Sequence, residues 1–176
     1  MEVPMDDLAA GARRIAELLV QHGETVAVSE SSAGGLVSAT LLAVPGASAY
    51  FLAGGVVYTR PARDALLAID RDALTGVRSA SEPYARLCAE AIRDRVGATW
   101  GLSETGAAGP GGNGYGDAPG HTCIAVMGPG GVHSETLETG IADREENMWR
   151  FSRHTLSVLE AALVREHGEG SPDGPH

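Results

Sequence analysis

The stretch Val26-Ala27-Val28-Ser29-Glu30-Ser31-Ser32-Ala33-Gly34-Gly35-Leu36-Val37-Ser38-Ala39-Thr40 decides the fold. Its apolar start, Thr25 to Val28, predicts a buried strand. A small polar turn, Ser29 to Ala33, breaks the run. Gly34 and Gly35 follow, and Leu36 to Leu42 then repeat at helical spacing. A strand, a hydroxyl-rich turn and a helix N-terminus make a ready anion site. The first N–H groups of a helix lack intrahelical partners, and that end is positive. Such a turn can also hold a nucleophilic hydroxyl where little covers it. A plain strand-to-helix connection, its serines capping the helix, predicts the same pattern.

Upstream, Leu8, Ala9, Ala12, Ile15, Ala16, Leu18 and Leu19 recur at helical spacing between Met5 and His22, and Gly23 stops the helix. Downstream, Val44-Pro45-Gly46-Ala47-Ser48 is a turn cluster. Ala49 to Tyr58 reads as a strand, and Gly54 and Gly55 inside it predict a bulge or a close approach. Thr59-Arg60-Pro61 opens a helix whose apolar face is Ala62, Ala65, Leu66 and Ile69. Asp70 to Val77 suggests a single turn. Ser81 caps the next helix, with Pro83 in its first turn. Its buried stripe is Ala85, Leu87, Cys88, Ala91, Ile92 and Val96. Ala98 to Ser103 reads as a strand. His121 to Met127 and Val132 to Thr139 read as a strand pair joined by Gly128-Pro129-Gly130-Gly131. Asp143 to about His167 is a long closing helix. The order predicts one α/β domain, residues 1–167, a three-layer α/β/α sandwich with a mixed, mostly parallel sheet. The polar, Gly/Pro-rich tail 168–176 is expected to be disordered.

The chain has 176 residues, 43% of them hydrophobic and 20% charged, which fits one globular domain. No apolar run reaches the roughly 18 residues of a membrane helix, and residues 1–7 lack a signal-peptide pattern. A cytoplasmic location without membrane partners is the expectation. The net charge of −10 argues against nucleic acid as a partner. Cys88 and Cys123 sit in apolar patterns without CxxC spacing, so they read as buried thiols, with no disulfide and no zinc site. All 13 basic residues are arginine; there is no lysine.

Thr105-Gly106-Ala107-Ala108-Gly109-Pro110-Gly111-Gly112-Asn113-Gly114-Tyr115-Gly116 is the most glycine-rich stretch. It suggests either a surface loop or a cradle in which bare backbone N–H groups approach a phosphate or oxyanion. A P-loop is excluded, because no lysine exists to reach the phosphates, and the glycine spacing is not GxGxxG.

These motifs carry a resemblance. Glu30-Ser31-Ser32-Ala33-Gly34-Gly35 resembles the E-S-C-T-G-G of the CinA C-terminal domain family, the nicotinamide-nucleotide amidases. Val44-Pro45-Gly46-Ala47-Ser48-Ala49-Tyr50-Phe51 is similar to its V-P-G-S-S-x-x-F. Gly55-Val56-Val57-Tyr58 resembles the G-x-V-x-Y before S-N-x-x-K. Ser81-Glu82 falls at its V-S-E. Thr105 to Gly112 resembles T-G-I-A-G-P-x-G, and Asp143-Arg144 resembles its G-D-R. The matches run in order from about Asp7 to Val164.

The resemblance implies an α/β/α fold, usually oligomeric, that hydrolyses the carboxamide of nicotinamide mononucleotide to nicotinate mononucleotide and ammonia, a step of pyridine-nucleotide salvage. It implies no metal and no cofactor. Ser31 aligns with the family nucleophile, and Tyr58, Arg63 and Thr105 with family site residues. Glu30, Ser32, Gly34, Gly35, Gly106, Gly109, Gly111 and Arg144 are the candidate substrate-binding residues. Three departures stand out. Ser32-Ala33 replaces C-T, Thr59-Arg60 replaces S-N, and Arg63 stands where the family has lysine. A desolvated lysine can lose its proton and accept that of serine; arginine stays protonated and is no base. Arg63 could still clamp a phosphate. Candidate substitute bases are Glu30, Tyr58 and His121. Two function classes follow: a working amidohydrolase on nicotinamide mononucleotide or another amide, or a weakened homologue that binds a nucleotide without turnover.

Overall fold

A computed structural model describes residues 5–168; the expected disordered tail, apart from Gly168, lies outside them. The elements are α1 (Met5–His22), β1 (Val26–Glu30), α2 (Leu36–Leu42), a 3-10 turn (Ala47–Ala49), β2 (Phe51–Val56), α3 (Arg60–Leu66), α4 (Glu82–Val96), β3 (Trp100–Ala107), β4 (His121–Gly128), β5 (Gly131–Glu138) and α5 (Arg144–His167). The strands form one sheet in the order β2-β1-β3-β4-β5.

β1 runs parallel to both β2 and β3, whereas β3 with β4 and β4 with β5 are antiparallel. The sheet is mixed, as expected, but its neighbouring pairs divide evenly rather than being mostly parallel. Parallel neighbours need a crossover connection. Helices supply one before β2 and another before β3. After β3 the chain returns without a helix, and β4 turns directly into β5 at Gly128 and Gly131.

Alternation along the strands sorts the core into two layers. Val26, Val28, Trp100, Leu102, Ile124 and Val126 face α1, α2 and α5, packing with Leu19, Leu41, Phe151 and Leu159. Ala27, Val57, Leu67, Tyr84, Cys88 and Ile92 form the opposite layer, and Ala85, Ala89, Cys123 and Ala125 extend it along α4. All five residues of β1 are buried, as suits a strand covered on both faces. Among the described residues no helix is long and apolar enough to cross a membrane.

Helix starts follow the sequence closely. Thr59 Oγ1 accepts from Ala62 N at 3.2 Å, Ser81 Oγ from Tyr84 N at 3.3 Å, and Asp143 Oδ1 from Glu146 N at 2.8 Å. Gly54 meets the expected close approach, since a Cβ there would collide with Ser38 of α2. Other details differ. β2 is shorter than Ala49 to Tyr58, because Ala47 to Ala49 continue the preceding turn. α3 buries Leu67, beyond its last turn, and leaves Ala65 and Leu66 exposed. On α4 the buried stripe is Tyr84, Ala85, Cys88, Ala89 and Ile92, while Val96 is exposed past the sheet edge of the helix.

Candidate active site

The carboxyl ends of β1, β2 and β3 converge. Ser29 pairs with Gly55 on one side and Ser103 on the other, and Val57 N donates to Glu30 O at 2.6 Å. Ser31 opens the turn beyond β1, and Tyr58 follows β2. Thr105 lies within β3 together with Gly106 and Ala107, so the loop begins three residues later than the composition suggests. Crevices beyond the carboxyl ends of strands are where open α/β sheets bind ligands.

Two buried carboxylates organise the turn. Glu30 Oε1 accepts from Gly35 N at 3.1 Å and Val37 N at 2.9 Å, and its Oε2 from Ser38 N at 2.9 Å and Ser38 Oγ at 2.6 Å. The N-cap of α2 is Gly35 in the left-handed region, with no side-chain cap of its own. Glu30 therefore takes the capping part that the sequence offered to the serines, and this commitment removes it as a substrate ligand or base. Glu104 Oε2 accepts from Ser31 N at 3.1 Å and Ala33 N at 2.8 Å, and its Oε1 from Ser32 Oγ and from Thr122 Oγ1 at 2.8 Å. Of the turn's N–H groups, expected to be open to a ligand, those of Ser31, Ala33 and Gly35 are filled by the protein's own carboxylates. Burial pushes the Glu104 carboxyl up from its ordinary value, against the pull of these four donors.

Sequence reading missed Glu104. The signal was available: a lone acidic residue inside the apolar strand pattern of β3 must find donors when buried. Ser32 is thereby an internal partner rather than a surface hydroxyl. The Ser31 hydroxyl is half-buried, and among the described residues no hydrogen bond holds it.

A second group forms the rim. Arg144 Nη2 donates to the Tyr58 hydroxyl at 3.0 Å and Nη1 to Gly109 O at 2.8 Å. One guanidinium thus joins the end of β2, the glycine loop and the start of α5. Gly109 has φ 118°, and a Cβ there would strike the Ala142 carbonyl, so glycine is required for this approach. Gly34, at φ 69°, packs against Met148 of α5. Gly106 is no cradle: a Cβ would run into the β4 backbone at His121 and Thr122, so close strand packing explains it. Gly111 faces open space.

Arg63 and Thr105 lie on the α4 side. Arg63 bonds Asp64 through Nε at 3.0 Å and Nη2 at 2.8 Å, and it also interacts with the Tyr84 hydroxyl. Its partners hold the guanidinium charged, so it is no base here. Burial pushes the Cys88 thiol up to about 12 and the Cys123 thiol upward as well, which removes both as nucleophiles at neutral pH. Among the described residues no three His, Cys, Asp or Glu are placed to hold a metal ion.

His121 is not the missing base either. Its Nδ1 meets Glu138 Oε1 and its Nε2 meets Ala80 O at 2.8 Å, with Asp117 Oδ2 3.6 Å away. Burial alone would lower its pKa, but the bonds to Glu138 and Ala80 outweigh it and the net shift is upward. The charged ring stabilises the fold fully below the ordinary imidazole value, and that stabilisation is lost as pH rises through the raised value. The destabilisation caused by His121→Gln, measured by urea unfolding, is therefore expected to shrink as pH rises from below the ordinary imidazole value through the raised one. A constant difference across that range would show the ring to be neutral throughout.

The sequence model of the CinA C-terminal domain matches residues 8–163. The chain belongs to the CinA C-terminal domain family. A CinA-like protein of Prochlorococcus marinus (strain MIT 9313) is 39% identical over 151 residues, covering 86% of this chain and 33% of that protein. One from Myxococcus xanthus (strain DK1622) is 37% identical over 158 residues, covering 90% and 38%. The chain thus spans about a third of the length of the curated relatives it matches. Among solved structures, the competence/damage inducible protein CihA from Agrobacterium tumefaciens superposes with TM-score 0.82 at 30% identity, covering 89% of this chain and 95% of that one. The competence or damage-inducible protein from Enterobacter asburiae gives 0.83 at 26%, covering 89% and 98%. The α/β fold is the CinA fold.

Proposed function

We propose that this CinA-family protein is a serine amidohydrolase acting on nicotinamide mononucleotide or a close relative, releasing ammonia. The observation that carries the reading is the unbonded Ser31 hydroxyl at the sheet's carboxyl edge, beside a turn held rigid by internal carboxylates. In this reading the Ser31 oxygen attacks the carboxamide carbon, ammonia departs, and water cleaves the acyl-serine. Tyr58, Arg144 and Gly109 form the rim that positions the substrate, Arg144 supplying positive charge to an otherwise acidic molecule. A second reading, ligand binding without turnover, is favoured by Arg63, whose guanidinium cannot accept the serine proton.

Steady-state ammonia release from nicotinamide mononucleotide, beside a calorimetric titration with the same compound, separates the two. Turnover supports the amidohydrolase. Binding without ammonia supports the second reading, and neither signal excludes this nucleotide as the ligand.

A further inference from the structure

The chain carries a net charge of −10, so an anionic ligand is held only where positive charge is gathered against that background. Arg60, Arg63, Arg78 and Arg144 belong to the segments that frame the site. Two of them are neutralised, Arg63 by Asp64 and Arg78 by Asp117. Among the described residues no carboxylate pairs with Arg60 or Arg144. Arg144 is committed to the strut between Tyr58 and Gly109. Arg60 has no such duty. The Thr59 cap makes it the first residue of α3, two positions beyond Tyr58. Where the family pattern has S-N, the chain has Thr59-Arg60, so this charge is its own departure.

Arg60 lies by the hydroxyl of Tyr115, which Ser79 also approaches. The glycine loop holds that tyrosine in place. Asn113 Oδ1 accepts from Tyr115 N at 3.0 Å and from Asp117 N at 3.2 Å, and Asn113 Nδ2 donates to Asp117 Oδ2 at 2.7 Å. Arg78 donates to the Asp117 carboxylate at 2.6 and 3.1 Å and lies 5.4 Å over the Tyr115 ring. The acid of this network thus has its charge met by Arg78, and none is left to neutralise Arg60. Ser79 and Arg60 together lower the Tyr115 pKa, which makes its hydroxyl a stronger hydrogen-bond donor.

We propose that Arg60 and the Tyr115 hydroxyl form the subsite for the phosphate group of the ligand, Arg60 setting the preference for a phosphorylated compound over its unphosphorylated counterpart. This rests on the nucleotide reading of the site, with or without turnover. A guanidinium presents a planar fork that meets two phosphate oxygens at once, and a phenol O–H can donate to a third. The charge acts on binding and touches no reacting atom, so Arg60 is a specificity residue and not a catalytic one.

The test titrates ribose 5-phosphate and nicotinamide mononucleotide calorimetrically into wild type, Arg60→Asn, Tyr115→Phe and Arg14→Asn. Ammonia release from nicotinamide mononucleotide and from nicotinamide riboside is followed beside it. Arg14, exposed on α1, controls for the loss of one charge. Arg60→Asn is expected to raise the Kd of both phosphorylated ligands by about 10–100-fold. With turnover, KM for the nucleotide rises by the same factor at nearly constant kcat, and the riboside is hydrolysed alike by both forms. Tyr115→Phe should weaken the phosphorylated ligands by about 3–10-fold, and Arg14→Asn should leave them unchanged. Should Arg60→Asn fail to fold, Tyr115→Phe decides by the same titrations. Equal binding by wild type and a folded Arg60→Asn overturns the proposal. So does equal weakening by Arg14→Asn, or a wild type that binds neither phosphorylated compound. Binding that depends on Arg60 without ammonia release removes the amidohydrolase reading and keeps the subsite; ammonia release with an unchanged KM in Arg60→Asn does the reverse.

Discussion

Replacing Ser31 by alanine is expected to lower amide hydrolysis by about 10³-fold or more, because no second group can take over covalent attack. Ser31 stands at the carboxyl end of β1 with its backbone N–H held by Glu104 and its hydroxyl unbonded. The variant removes one half-buried hydroxyl and no hydrogen bond of its side chain, so its unfolding midpoint should stay at the wild-type value. Ser32→Ala is expected to lose less activity but more stability. It leaves the buried Glu104 carboxylate one donor short, at a cost of about 1–3 kcal/mol. Ammonia release and urea unfolding on the two variants separate these effects. Equal activity losses, or a destabilised Ser31→Ala, would show that the roles of the two serines are wrongly divided.

The largest effect on stability is expected at Gly101, a residue far from the candidate site. Gly101 lies where α4 crosses β3, and a Cβ built there would penetrate the Ala89 carbonyl and stand 2.8 Å from Arg93 Cβ. The obstacle is helix backbone, which cannot swing aside as a side chain would. Gly101→Ala should therefore force α4 off the sheet and loosen Ala85, Ala89, Cys123 and Ala125 together. Overpacking of this kind costs about 3 kcal/mol. A urea midpoint corresponding to less than about 1 kcal/mol would mean that α4 has room to shift.

Helix and strand identities were legible because their causes are local. The spacing of Leu8 to Leu19 and the cap at Ser81 act within a few residues, and each appears in the structure as read; Thr59 and Asp143, read as helix openings, turn out to be caps as well. The Tyr58, Gly109 and Arg144 group came from motif matches, and one guanidinium joins the three. Glu104 stayed hidden because a single acidic residue in a strand says nothing of its donors until the neighbouring strand ends are placed. Gly106 misled for the converse reason, since glycine before a turn looks alike whether it faces a ligand or a neighbouring backbone.

By itself, the sequence determined the order of elements, the helix starts, the burial of β1 and, by fixing arginine at 63, the absence of a lysine base. Those properties follow from hydrophobic period, capping chemistry and side-chain basicity, none of which depends on distant residues. The tertiary structure alone decided which turn N–H groups are filled, since Glu104 lies 73 positions from Ser31 and 71 from Ala33 along the chain. It likewise decided that β4 returns antiparallel to β3, that Arg63 reaches Tyr84, and that His121 is a clamp between Glu138 and Ala80. Each of these joins groups far apart in sequence, and burial makes any unpaired donor or charge too costly to leave alone.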